Sequence, residues 1–297
     1  MTFVRTFDAA TRDRSLLRHV RPLLGYPRVI WQNRYLVQNF FRRELLSRFH
    51  GSFLGAWWML VQPLFLFVVY FLVFGVMYGP RDGSGPDMAF AIYLFSGVLV
   101  FHALVEATST SCNAVVANAN LVKKVAFPSE VLPIPVAMIS VVLYCVGAVV
   151  CLACGLVFGV IGITWWLLAV PLVLCVQFVM VVGIGLFLAN ANVFIRDVSQ
   201  LWRIFTTAWL FLSPVFWQPK TLVEAFPDSV LPDLVFHLNP AFPLIQAHRI
   251  ALGGEQPLLG LGGFWGHLGV AAAWATGFLV LGYASFASSK HKYADVV

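Results

Sequence analysis

The sequence predicts an all-α integral membrane protein, from an extreme composition, long apolar runs free of charge, and basic residues gathered between alternate runs. Of 297 residues, 60% are hydrophobic and 11% charged, with a mean hydropathy of +0.84. Soluble domains run near half apolar and a quarter charged, so this length measures membrane spans. Apolar stretches fall at 56–78, 88–112, 134–158, 165–189, 201–216 and 265–287, the fifth being short. Backbone amides in hydrocarbon must be satisfied within their own segment or by a closed barrel, so unalternating runs of this kind mean helices.

Ten arginines between Arg5 and Arg48, with Lys123, Lys124, Arg196, Arg203, Lys290 and Lys292, fall on one side of these runs. The other side holds Arg81, Lys220 and Arg249. Basic residues stay on the cytoplasmic face, which places both termini inside. The basic pI of 9.2 then reports topology and contact with anionic membrane lipids, and nucleic acid is not needed as a partner. The arginine-rich stretch before the first run is too long for a cleavable signal.

Residues 1–33 form a cytoplasmic segment with no assigned role. Segment 34–55 is a basic interface helix: Val37, Phe40, Phe41, Leu45 and Phe49 share one side and Asn39, Arg42 and Arg43 the other, although Glu44 and Arg48 intrude on the apolar side. Residues 56–288 form the transmembrane domain and 289–297 a cytoplasmic tail. In the first span, Phe67, Tyr70, Phe71, Phe74 and Tyr78 fall on one helical arc. Such a stripe either lines a path on which sugar rings slide, or packs against lipid and neighbouring helices. Trp202, Trp209 and Trp217 pose the same choice.

Late in the second span, Glu106 reads as an interfacial carboxylate, with His102 one turn earlier as a partner for a proton site. After that span, Asn120 is expected to cap a helix of about two turns over 121–127, stopped by Pro128. Leu121, Val122, Val125 and Phe127 make it an apolar knob for another protein; residues 192–197 form a second, shorter contact. Cys151 and Cys154 form a C-x-x-C read as inert packing, since thiols at lipid depth ionise poorly. Gly155-x-x-x-Gly159 and Gly269, Ala273, Gly277 are expected at close helix contacts.

Between spans five and six, 217–264 is proline-rich. Thr221 and Glu224 form a capping-box pattern opening a helix curtailed by Pro227. Asn239-Pro240 opens a second helix, to about residue 252, ended by Gly253-Gly254. Too short to span, these helices suggest a re-entrant hairpin, either an outer gate or an external cap. No G-x-x-x-x-G-K-[S/T] occurs, so the chain is a passive pore or is driven by a motor on another polypeptide.

Arg48-Phe-His-Gly-Ser-Phe-Leu-Gly-Ala-Trp-Trp58 with Pro63, Asn120-Leu-Val-Lys-Lys124 with Phe127-Pro128 and Glu130, Phe194-Ile-Arg-Asp197, Ser213-Pro-Val-Phe216 and Asn239-Pro240 resemble, in order, the landmarks of type-2 ATP-binding-cassette permeases that export bacterial O-antigen, capsule and teichoic-acid polymers. The resemblance implies a homodimer in the bacterial inner membrane, two cytosolic ATPase subunits holding ATP and magnesium, and a lipid-linked glycan as cargo. It implies no cofactor or catalytic residue on this chain. ATPase coupling would fall to Arg42, Arg43, Leu121, Val122, Lys123, Lys124, Phe127 and Glu130. The channel would be lined by Phe67, Tyr70, Phe71, Phe74, Tyr78 and Trp209. Pro214, Thr221, Glu224, Asn239 and Pro240 would form the external gate. A type-2 exporter of a drug or lipid shares the fold; a membrane glycosyl- or acyltransferase needs a polar catalytic cluster, of which only His102 and Glu106 are in view.

Overall fold

A computed structural model of the chain describes residues 21–78, 87–124, 128–227, 229–254 and 263–296, and every regular element among them is helical. In chain order the helices are α1 (Tyr26–Gln32), α2 (Arg34–Ser47), α3 (Trp58–Tyr70, continued by a π-helical stretch Phe71–Met77), α4 (Met88–Cys112), α5 (Ala119–Lys124), α6 (Pro133–Val157), α7 (Val170–Phe194), α8 (Val198–Leu212), α9 (Pro219–Ala225), α10 (Leu231–Leu238), α11 (Ala241–Ala251) and α12 (Phe264–Ser289). Five stretches among the described residues are long and apolar enough to cross a membrane: Gly55–Met77, Met88–Cys112, Ser129–Val157, Trp165–Phe194 and Phe264–Lys292.

The remaining apolar run is α8, whose 15 residues measure about 22 Å at the helical rise. It nevertheless follows α4 for most of that helix's length. Near one end Trp202 Nε1 donates to Thr108 Oγ1 at 3.2 Å. Further along, the Trp209 ring meets Phe101 edge-on at 5.4 Å. Beyond the end of α8, Tyr93 Oη donates to the Trp217 carbonyl at 3.0 Å.

Helices α4 and α7 form the centre, with α3 and α6 on one side and α12 packed along α7. The closest crossing is backbone on backbone: a Cβ at Gly183 would lie 2.4 Å from the Leu279 nitrogen, and one at Gly282 would lie 2.1 Å from the Gly183 carbonyl. The glycine motifs expected at such crossings sit elsewhere. Gly269 and Gly277 face open space, Gly155 packs on Ile161, and Gly159 takes a positive φ just beyond the end of α6. The spacing pattern identifies small residues; it does not say which of them another backbone approaches.

Helices α10 and α11 form a hairpin inserted among α4, α7, α8 and α12. Its turn at Asn239-Pro240 lies beside Trp209, whose Nε1 donates to Asn239 Oδ1 at 2.8 Å. Phe101, against the same indole, is about 20 Å along α4 from Met88 at the helical rise, so the hairpin reaches well into the bundle. Every residue of α11 is buried. Asn239 Oδ1 also accepts from the Ala241 amide at 3.0 Å, and Gly253, at φ +87°, ends the helix, as the sequence predicts. Helix α10 is an addition, signalled by Leu231, Leu234, Val235 and Leu238 and by Pro232 in its first turn. The capping box needs correction: α9 starts at Pro219, no side chain caps it, and Thr221 is its third residue. Proline's fixed φ supplies the start instead.

Candidate functional site

One end of the bundle carries the basic elements. Helix α2 ends at Ser47, short of the expected residue 55; Val37 is buried, Phe40, Phe41 and Leu45 are half-buried, as is Phe49 just beyond its end, and Arg42 and Arg43 are exposed. The helix packs against α6, and Arg43 Nη2 donates to Asn118 Oδ1 at 3.2 Å. Arg48, which breaks the amphipathic pattern, forms an ion pair with Glu106. Glu106, expected to partner His102, thus has Arg48, just past the end of α2, as its ion-pair partner.

Helix α5 begins at Ala119, with the Leu121 and Val122 amides bonded to the Asn118 carbonyl. Asn120 thus lies inside the helix and is not its cap. Leu121 and Lys123 are exposed, and Val122 is half-buried against the core. The Lys124 side chain and residues 125–127, Phe127 among them, lie outside the described residues. Glu130 is buried, and its carboxylate accepts from Lys290 Nζ at 2.9 Å. Its carbonyl accepts from Tyr26 Oη at 2.8 Å. Burial, reinforced by the Glu130 carboxylate, holds the Tyr26 phenol above its ordinary pKa and therefore neutral.

Helix α5 also touches the final turn Tyr293–Val296. Tyr293 Oη donates to Asn190 Oδ1 at 2.8 Å, and Asn190 Nδ2 donates to Ser285 Oγ at 2.6 Å. The knob is thus wired to the ends of α7 and α12. A cleft of about 370 Å³ beside it is lined by Arg43, Ser109, Thr110, Asn113, Asn118 and Pro135.

Toward the opposite end, the aromatic stripe of α3 divides. Phe67 is buried against Phe95 and Phe158, and Phe71 stacks on Phe158. Tyr70 and Phe74 instead face Phe216, with ring centroids 6.3 and 6.5 Å away, and Tyr78 is exposed. Phe67 and Phe71, four residues apart, share one line along the helix, and Tyr70 and Phe74 share the next, so the split begins within Trp58–Tyr70, ahead of the π-helical stretch. The structure therefore brings Tyr70 and Phe74 to the break after α8, where Pro214 is buried. Trp209 is buried, and with Trp202, Phe205, Trp274 and Phe278 it lines an apolar groove of about 1010 Å³ between α7, α8, α10 and α12. Thr221 and Glu224 are exposed, and Glu224 pairs with Lys220 at 3.5 Å.

Arg249, counted from the sequence among the cations of the far side, is buried in the hairpin. Its location follows from carbonyl partners that no local pattern reveals. Among the described residues, no group of His, Cys, Asp or Glu is arranged to hold a metal ion, and the cysteines are free thiols.

The comparisons with known proteins agree with this geometry. An O-antigen export system permease protein from Myxococcus xanthus is 26% identical over 275 residues, covering 91% of this chain and 98% of its own. One of the same description from Klebsiella pneumoniae is 21% identical over 257 residues, covering 86% and 92%. Residues 35–252, from α2 to the end of the hairpin, match the family described as ABC-2 type transporter. That match takes in most of the chain, which belongs to the ABC-2 type transporter family as a membrane-embedded transport subunit.

Proposed function

We propose that this chain is the permease half of an ATP-driven exporter moving a lipid-linked polysaccharide of the O-antigen kind across the bacterial inner membrane. The observation that carries the reading is the nearly end-to-end similarity to O-antigen export permeases, 98% of the length in one relative. Two copies of the chain enclose the path, and two cytosolic ATPase subunits, which hold ATP and magnesium, dock on α2 and α5. Both chain termini lie on the cytoplasmic side. The clustering of α1, α2, α5 and the end of α12 at one end of the bundle supports this, as does the gathering of basic residues there.

On ATP hydrolysis, force enters at Leu121, Val122, Lys123, Lys124 and Phe127 and passes to α4, α7 and α12, whose ends meet around Glu130, Asn190 and Tyr293. The aromatic faces of Tyr70 and Phe74 give sugar rings a sliding surface at the break after α8, where the hairpin closes the outer mouth. The test is Leu121→Asp together with Phe127→Asp. Co-purification of the ATPase subunit should fall by about tenfold or more, as expected for loss of an apolar anchor, while the permease still inserts. Undiminished association with normal export removes the knob from the mechanism.

A further inference from the structure

We propose that Arg249 fastens the outer ends of α4 and α8 to the re-entrant hairpin and is the positioning residue of the outer gate. The inference rests on the reading above that the hairpin closes the outer mouth.

A cation in an apolar bundle needs partners. Arg249 is 6% exposed, and its hydrogen-bond partners are neutral oxygens. Nη1 donates to the Pro214 carbonyl at 2.8 Å and to Gln246 Oε1 at 3.0 Å. Nη2 donates to the Tyr93 carbonyl at 3.0 Å and to that of Val215 at 3.4 Å, and the guanidinium lies 3.5 Å from the centre of the Tyr93 ring. The Pro214 and Val215 carbonyls need it in turn, whereas the Tyr93 carbonyl, inside α4, also accepts from Ser96 Oγ at 2.9 Å. Helix α8 stops at Leu212, and the oxygens at and beyond a helix end have no intrahelical donors. Unpaired in apolar surroundings they are costly, and a cation at a helix C-terminus also interacts favourably with the helix dipole.

Gly97 completes the site, since a Cβ there would lie 2.3 Å from Nη2 and 3.5 Å from the Val215 Cα. A planar fork reaches four acceptors on three elements, which a lysine ammonium does not.

At the tip of the hairpin, Asn239 Nδ2 donates to the Leu212 carbonyl at 3.2 Å and to Ser213 Oγ at 3.1 Å. Helix α8 and the hairpin are thus joined at both levels and move as one body. The Tyr93–Arg249 contact is the seam where that body parts from α4, and Tyr93 strengthens it through its phenol, which donates to the Trp217 carbonyl.

The test uses the whole exporter complex and measures polymer exported per inserted permease, ATP hydrolysed per exported chain, and ATPase association. Arg249→Met should cut export about tenfold and raise ATP consumed per chain, with insertion and association retained; a tenfold change corresponds to about 1.4 kcal/mol, close to the lower end of what one charged hydrogen bond contributes. Arg249→Lys should recover part of the loss. Gly97→Ala should reproduce it by displacing the guanidinium, and the double variant should be no worse than Arg249→Met alone. The seam is overturned if export per inserted permease is unchanged in Arg249→Met, if the two defects multiply, or if every variant loses insertion in proportion to export. A wild-type complex that moves no polymer overturns the cargo reading instead. The seam is then decided by the ATPase rate of the Arg249 and Gly97 variants, and a rate equal to wild type removes it.

Discussion

The two ends of the bundle handle charge in opposite ways. At the basic end, cations meet carboxylates: Arg48 pairs with Glu106 and Lys290 with Glu130. At the opposite end, Arg249 is buried among carbonyls and one amide oxygen. The first arrangement runs from a pair wetted by solvent and headgroups, Arg48–Glu106, which forms and dissolves at little cost, to Lys290, which covers the buried Glu130 carboxylate. The second suits a site where water is scarce and broken helices leave backbone oxygens without donors. The end that receives force is held by charge pairs. The end that opens is held by the ends of its own helices.

The comparison breaks most completely at the frame both ends share. Gly183→Leu forces a side chain into the Phe278 and Leu279 backbone. The expected outcome is loss of more than about 4 kcal/mol of stability, seen as disappearance of the monodisperse permease on detergent extraction. A normally folded variant shows that α7 and α12 separate at no cost.

Next in size is Lys290→Ala, which leaves the buried Glu130 carboxylate without its cation. Because Lys290 is itself partly exposed, a cost of about 2 kcal/mol is expected, with Glu130→Gln milder; thermal unfolding of the purified permease measures both. If Glu130→Gln proves the worse, the carboxylate is needed for something beyond this pair.

Arg48→Ala should cost less than about 1 kcal/mol, because its pair with Glu106 is partly solvated. The same assay decides, and a larger loss places that pair in a drier setting than its exposure indicates.

The smallest effect is expected at His248. Its ring centroid is 4.6 Å from that of Tyr144, and neither ring nitrogen has a hydrogen-bond partner among the described residues. His248→Phe should leave the melting temperature within about 1 kcal/mol equivalent of wild type or raise it, since it removes an unsatisfied buried polar group. A clear loss sharpens the comparison by showing that the opposite end depends on its imidazole as well as on its guanidinium.

The long helices were legible in the sequence because hydrocarbon imposes a single length requirement and charge marks where it stops. Met88–Cys112 matches its apolar run end to end. The fourth run extends further, to Phe194, because the near-polar Asn190 and Asn192 find partners in Ser285, Tyr293 and Asn113 that no hydropathy window sees. The ends of α11 were legible because Asn-Pro and Gly act locally.

What stayed hidden depends on remote backbone. Arg249 reads as a cation of the far side until Tyr93, Pro214 and Val215 are brought around it. Glu130 reads as a coupling residue until Lys290 arrives. The stripe of α3 reads as one face until its rings meet different neighbours, Phe158 and Phe216.

The Tyr26 ring lies 5.0 Å from that of Tyr283, and its hydroxyl bonds to Glu130. The first helix described thus takes its seat on the last long one. During synthesis, therefore, the seat of α1 is complete only once α12 has emerged and packed beside it.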